Sequence, residues 1–410
     1  MKKILFISYD GLTDPLGPSQ IIPYLTGLTQ YNYEFTILSC EKPNIYKKNK
    51  QYVNELIEPY PIKWVSIPYH KSPAVLSSVF DFYQLKKTAK HLHRNENFDM
   101  VHTRPGVPTL VALWLKKKYG IKFLNDIRGF WADERVDGGM WNLKNPLYKK
   151  IYSFFKKHEF KCIEKADHNT CLTEKAKEEI QSWGNIANHP VPIEVIACSA
   201  DLNSFNPEKI DRSLKQKFEH ELNIDSTDFI LSYLGSIGGW YLVDEMMHFF
   251  KLLIKRKPAA KFLFISPHRY EVILEAAQKY NIPAEKILFK SVIHDHVPAL
   301  LSLSNYSIFF IKPCYSKISS SPTKHGEIMA LGIPVITNSG VGDVEEITNQ
   351  CESGYIIDSF TSKAYEKVID KIGGDATFNP EKIIQGAKIY YDLNVAIQKY
   401  SNVYNLILNK

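Results

Sequence analysis

Cysteine is sparse in this sequence, six in 410 residues, and Cys40, Cys162, Cys171, Cys198, Cys314 and Cys351 form no C-x-x-C pair. That spacing fits buried thiols in a reducing compartment better than a disulfide scaffold or zinc site. No run of 18 apolar residues occurs, so the sequence offers no membrane-spanning helix. The start, MKKILFISYDG, has two lysines before an apolar run. That run meets Asp10 after about six residues and no A-x-A-like cleavage site follows, so it reads as a strand and a cytoplasmic location is expected. G-x-G-x-x-G and the P-loop lysine are missing too, which argues against a dinucleotide or Walker-type site. No His/Asp/Glu group has convincing ligand spacing, so no metal is expected.

The composition is that of an ordinary globular protein, 44% hydrophobic and 23% charged, and the length suggests two domains. A net charge of +7 comes from dispersed lysines. It fits peripheral contact with anionic lipid or a phosphorylated substrate at least as well as nucleic acid. Strand-like runs, KILFISY, EFTILSC, KWVSIPY, DMVHTR, KFLNDIR and HNTCLT, alternate with stretches of helical length. After IEVIACSADLNSFNP the rhythm restarts with FILSYLGS, KFLFISP, KILFKSV, YSIFFIKP, IPVITN and GYIIDSF. This is the pattern of βαβ units, giving two successive doubly wound α/β halves with parallel sheets. The expected division is 1–200, 201–380 and a helical tail 381–410, with a hinge over Ala200 to Pro207. Ligands of such sheets bind outside the strands' carboxyl ends, which places chemistry on the following loops, facing an interdomain cleft.

Three stretches can carry that chemistry. In SSSPTKHGEIMALGIPV, Ser319 to Val335, Ser321 suits an N-cap and Pro322 the first helical position. A helix start followed by Lys324 attracts phosphate, and Glu327, on the same face, can share the ligand or pair with the lysine. An ordinary surface Lys–Glu pair is the plainer reading. YLGSIGGWY, Tyr233 to Tyr241, is a Gly-rich turn able to approach a diphosphate, matched in the first half by YDGLTDPLGPSQ with Gly17. NDIRGFWADERVDGGMW, Asn125 to Trp141, follows a buried strand with Asp126 and Arg128, while His102 and Arg104 end another. A core histidine and a surface ion pair are the competing structural readings there. Tyr148 to Lys165 forms an amphipathic, lysine-backed helix that suits either a core-facing stripe or a membrane surface.

Two Rossmann-like halves, VIACSADLNSFNP and SPTKHGEIMALGIPVITNSGVGDVEEI together resemble family 4 of the retaining glycosyltransferases, with the GT-B fold. The resemblance covers nearly the whole chain. It implies a nucleotide-diphosphate sugar, UDP- or GDP-linked, on the C-terminal half, and a saccharide or lipid-linked acceptor on the N-terminal half. It also implies cell-surface polysaccharide assembly as the setting and a C-terminal helix packing back. By motif match Glu327 looks like the ribose-holding glutamate, Thr323 and Lys324 like the diphosphate-holding helix start, and Gly235 and Ser236 like the other side of that cradle. Gly17, His102 and Arg104 become acceptor-binding candidates, and Asp126 and Arg128 catalytic ones. The family commonly has a second glutamate eight residues before the first, where this chain has Ser319, the remaining donor-side candidate. It also commonly carries two basic residues in the Gly-rich turn; GSIGGWY has none, and Lys324 is expected to supply that charge. A GT-B nucleotide-sugar epimerase and a non-catalytic two-domain sugar-binding module are the alternatives.

Overall fold

The computed structural model describes residues 1–73, 75–267, 269–373 and 377–409. The chain forms two compact units, Met1–Cys198 with Leu393–Lys410, and Ser199–Asp392.

The first unit holds a parallel sheet of β1 (Lys2–Ser8), β2 (Tyr33–Glu41), β3 (Ile62–Pro68), β4 (Met100–Thr103), β5 (Lys122–Ile127), β6 (His168–Cys171) and β7 (Ile193–Val195), in the order 3-2-1-4-5-6-7. The three-residue β7 is a strand the apolar rhythm does not announce. The near-continuous apolar strands follow from burial on both faces. Ile4 and Phe6 of β1 enter one core with Phe35, Ile37, Met100 and Leu124, while Leu5 and Ile7 enter the other with Leu38, Val101 and Phe123. Alternate side chains thus feed opposite faces.

The first of these cores is closed by the chain's last helix, Leu393–Leu408. Its Ile397, Tyr400, Val403, Tyr404 and Ile407 are buried beside the helix Ile22–Thr29 and β1 and β2. The preceding helix, Pro380–Tyr391, belongs to the second unit.

That second unit repeats the plan with β8 (Phe229–Leu234), β9 (Ala260–Ile265), β10 (Ile287–Lys290), β11 (Tyr306–Phe309), β12 (Val335–Asn338) and β13 (Gly354–Ile357), in the order 10-9-8-11-12-13. Strand order reverses between β1 and β4 in one sheet and between β8 and β11 in the other. These switch points open a crevice at the strands' carboxyl ends, because the loops on either side turn away in opposite directions.

Candidate functional site

In the second unit the loops flanking the switch point are the Gly-rich turn after β8 and the segment from Phe310 to Pro322 after β11. They are stitched together: Lys312 N–H donates to Trp240 O and Leu242 N–H to Phe310 O, both at 2.9 Å. Asn338 pins the second loop from below, donating to Ile311 O at 2.9 Å and accepting from Ile311 N–H at 2.8 Å. Gly235, Gly238 and Gly239 have φ of 119°, 88° and 65°, which side chains rarely adopt, so glycine is required for this turn. A Cβ on Gly235 would also stand 2.7 Å from Lys324 Nζ.

Lys324 therefore lies directly under the turn, 7% exposed. Its Nζ donates to Tyr233 Oη at 3.2 Å and sits 4.4 and 3.7 Å from the Tyr233 and Tyr241 ring centres. No salt bridge to a carboxylate holds it among the described residues. Burial pulls its pKa down to about 7, with Glu327 pulling weakly the other way. A buried lysine walled by aromatic faces can take an anion, which would favour its charged form.

Two local expectations need correction. Pro322, in extended conformation, occupies the N-cap of the helix Thr323–Ala330, with no side-chain cap bond, so Ser321 is not the cap. Glu327 does not pair with Lys324: its Oε1 lies 3.3 Å from His294 Nε2. The reason is burial, which draws Lys324 inward against the tyrosines while Glu327 stays at the rim. The hydrogen bond to Glu327 raises the His294 pKa, against the opposing effect of burial. His294 packs edge-on to Phe205, with ring centres 5.5 Å apart. Ser319 is buried in the turn Tyr315–Ser319 and donates to Ser316 O at 2.8 Å. Ser236 is exposed, and its carbonyl accepts from Tyr233 Oη at 2.5 Å.

Gly235, Ser236, Thr323, Lys324 and Glu327 thus gather around one switch point. The sequence reading missed Tyr233, Tyr241, His294 and Arg269. A Cβ on Gly238 would lie 2.9 Å from an Arg269 guanidinium nitrogen, so a cation does face the Gly-rich turn, from the loop after β9. Only the alternation of β8, which turns Tyr233 inward, could have signalled any of these.

In the first unit His102, Arg104, Asp126 and Arg128 also come together, as a packed network. Asp126 accepts from Thr170 Oγ1 at 2.8 Å, and its Oδ2 lies 3.5 Å from His102 Nε2 and 4.0 Å from Arg104 Nη1. His102 Nδ1 meets Tyr404 Oη at 2.7 Å. Arg104 donates to Gln20 O at 2.7 Å, and Arg128 to Gln20 Oε1 at 3.1 Å and Cys198 Sγ at 3.2 Å. Burial would raise the Asp126 pKa, but Arg128, His102 and Arg104 hold it well below the ordinary range. About 10 Å³ of free space remains among them, room for one water at most. Gly17 lies in the short helix Leu16–Gln20 that carries Gln20 and packs on the preceding turn: a Cβ there would lie 2.0 Å from Leu12 O. The turn before it is tied by buried Glu41, which accepts from Leu12 N–H at 2.7 Å and Thr13 Oγ1 at 2.5 Å.

The helix Pro146–Lys165 buries Cys162 and Ile163 and leaves Leu147 and Phe154 exposed. Among the described residues no helix is long and apolar enough to cross a membrane, and no cluster of three His, Cys, Asp or Glu side chains is placed to hold a metal.

These features, a 3-2-1-4-5-6 order that the first sheet extends by a seventh strand and a Gly-rich turn over a helix start in the second unit, define two Rossmann-like α/β units. The profile for glycosyl transferases group 1 matches residues 215–388, and that for glycosyltransferase family 4 matches residues 25–204. The chain belongs to this glycosyltransferase family and has the GT-B fold. Among solved structures it is similar to sucrose-phosphate synthase from Thermosynechococcus elongatus, at 13% identity and TM-score 0.75 with 100% of each chain covered. A glycosyltransferase from Rickettsia africae gives 15% and 0.72, covering 100% of this chain and 99% of that one. HepE of Anabaena, solved with UDP and glucose, gives 12% and 0.70, covering 99% of this chain and 100% of that one. A search of curated protein sequences gives no significant match.

Proposed function

We propose that this protein transfers a glycosyl group, with retention, from a UDP- or GDP-sugar to a saccharide or lipid-linked acceptor in cell-surface polysaccharide assembly. The observation that carries the reading is the buried Lys324 ammonium, held by phenol rings instead of a carboxylate, beneath a turn that only glycine can form. The donor's diphosphate would lie between Gly235, Ser236 and the start of Thr323–Ala330, with Glu327 on the ribose and Ser319 shaping the sugar side. Arg269 adds a second cation at the turn. UDP bound to HepE, a protein of the same fold, agrees with this use of the architecture.

As the glycosidic bond breaks, negative charge grows on the diphosphate, and Lys324 stabilises it without reorganising. A preorganised donor of this kind is worth about 2.7–4 kcal/mol, so Lys324→Ala should lower kcat about 100-fold or more. The leaving oxygen can take the acceptor's proton on the same face, which accounts for retention without a carboxylate nucleophile. Asp126 and Arg128 are assigned to the acceptor side as positioning residues: with His102, Arg104 and Gly17 they fix the short helix Leu16–Gln20. Peripheral contact with a membrane fits the net charge of +7 and a lipid-linked acceptor.

The test is thermal unfolding with UDP, GDP, ADP, CMP and their sugar conjugates, for the wild type, Lys324→Ala and Glu327→Ala. A nucleotide at 100 times its Kd adds about 2.7 kcal/mol to stability. One nucleotide class should stabilise the wild type and neither variant; no shift at millimolar concentration sinks the reading.

A further inference from the structure

The packed His102/Asp126 network leaves no room for a sugar, yet one polar group in the first unit is both oriented and open. Asp81 is fully buried near the start of the helix Leu76–Glu96 and accepts three bonds: from Tyr9 Oη at 2.9 Å, His70 N–H at 3.1 Å and His70 Nδ1 at 2.6 Å. Tyr9 directly follows β1 and His70 lies two residues past β3, so the group sits at the strands' carboxyl ends. The buried carboxylate fixes the imidazole through Nδ1–H, leaving Nε2 as the outward nitrogen. The His70 side chain is 42% exposed and Nε2 has no protein partner among the described residues. Tyr69 packs edge-on to Tyr9, and Arg135, stacked 3.4 Å above Trp131, has its charge within range of Asp10, Tyr69 and Tyr9.

Beside this polar group the helix turns an apolar stripe to solvent. Leu76, Val79, Phe80 and Tyr83 are 68%, 47%, 49% and 62% exposed, at the i, i+3, i+4, i+7 spacing of one helical face. The stripe reaches the imidazole itself, with the Phe80 and His70 rings edge to face at 5.0 Å. An oriented hydrogen-bonding imidazole continuous with a bare apolar stripe matches a molecule that is polar at one end and apolar at the other.

We infer that this surface binds an amphiphilic glycoside, the sugar hydroxyl on His70 Nε2 and the alkyl portion along Leu76, Val79, Phe80 and Tyr83. The inference rests on the transferase reading and gives its acceptor a class, a saccharide carrying a lipid. Free saccharide would leave the stripe unused, and a plain lipid would leave the imidazole unmatched.

The test titrates full-length protein, labelled with ¹⁵N in histidine, with methyl and octyl β-glycosides of glucose, galactose and N-acetylglucosamine below their micelle concentrations. The His70 ring signal, assigned from His70→Gln, reports binding. At least one octyl glycoside should shift it, with affinity at least tenfold above its methyl counterpart, since each buried methylene is worth roughly fourfold. Phe80→Ser with Tyr83→Ser, both at exposed positions, should abolish the chain-length gain but keep the response, and octanol should not move Nε2. Equal affinity for methyl and octyl forms, or no His70 response to any glycoside, overturns the inference. Nucleotide stabilisation in the same samples separates the two claims. If His70 responds and no nucleotide stabilises the protein, the transferase reading falls and the amphiphile surface stands.

Discussion

Burial and the proposed phosphate contact pull on Lys324 in opposite directions. In the free protein the buried ammonium is disfavoured, which is why its pKa falls to about 7. Unfolded, it would titrate near 10.4. Between those values the unfolded chain holds more protons, so stability rises with pH over that window and the full cost is present below pH 7. Lys324→Met keeps the shape and removes the charge; at pH 6.5 it should stabilise the ligand-free protein by about 1–4 kcal/mol in urea unfolding, while abolishing nucleotide binding. Binding has its own pH signature, because a diphosphate favours the charged lysine. Affinity for the nucleotide-sugar should be flat below pH 7 and weaken by up to about tenfold per pH unit above it, measured by calorimetry. A pH-independent affinity would mean that Lys324 does not meet the phosphates. Asp126 makes the opposite case: its carboxylate is stabilised by the cations around it, and removing it strands them. Asp126→Ala should cost about 3–5 kcal/mol of stability in urea unfolding, whatever it does to turnover.

At the scale of elements, the helix Thr323–Ala330 depends on a close neighbour as much as on its own sequence. Its Gly326 faces Tyr391 of the helix Pro380–Tyr391, where a Cβ would lie 2.7 Å from Tyr391 Cβ and Cγ. His325 beside it is buried and held neutral, its pKa lowered to about 3 by burial, with Nδ1 at 2.8 Å from Tyr391 Oη. Gly326→Ala should therefore push the two helices apart, cost about 1–3 kcal/mol and weaken nucleotide binding through displaced Lys324, seen as a lower Tm and a higher Kd together. The motif SPTKHGE was legible as a helix start with a lysine and a glutamate. Which partner each would take was not, because Tyr233 and Tyr241 lie in another βα unit and His294 is 33 residues from Glu327. The mistaken N-cap shows the same limit: Ser321 and Pro322 are both acceptable before a helix, and backbone geometry chose Pro322.

For the whole molecule, the last helix is a structural member of the unit that begins the chain. Leu393–Leu408 buries Ile397, Tyr400, Val403, Tyr404 and Ile407, and Tyr404 holds His102. At about 1.5–3 kcal/mol per large buried side chain, its loss is comparable to the whole net stability of a typical domain. A chain ending at Asp392 should keep the second unit folded and expose the first to limited proteolysis; an intact first unit would contradict the packing described.

The sequence by itself determined the class of structure, since strand-length apolar runs alternating with helical stretches have few solutions other than parallel sheets covered by helices, and its glycines set where the chain could turn tightly. It also marked Lys324 and Glu327 for attention. Tertiary structure alone decided that Lys324 is buried under tyrosines, that His102 and Asp126 are locked in a network with the C-terminal helix, and that His70 stands open at the strand ends, held by the buried Asp81. Local pattern records burial period and backbone freedom. The protonation, pairing and accessibility of a side chain depend on neighbours brought in from elsewhere in the chain.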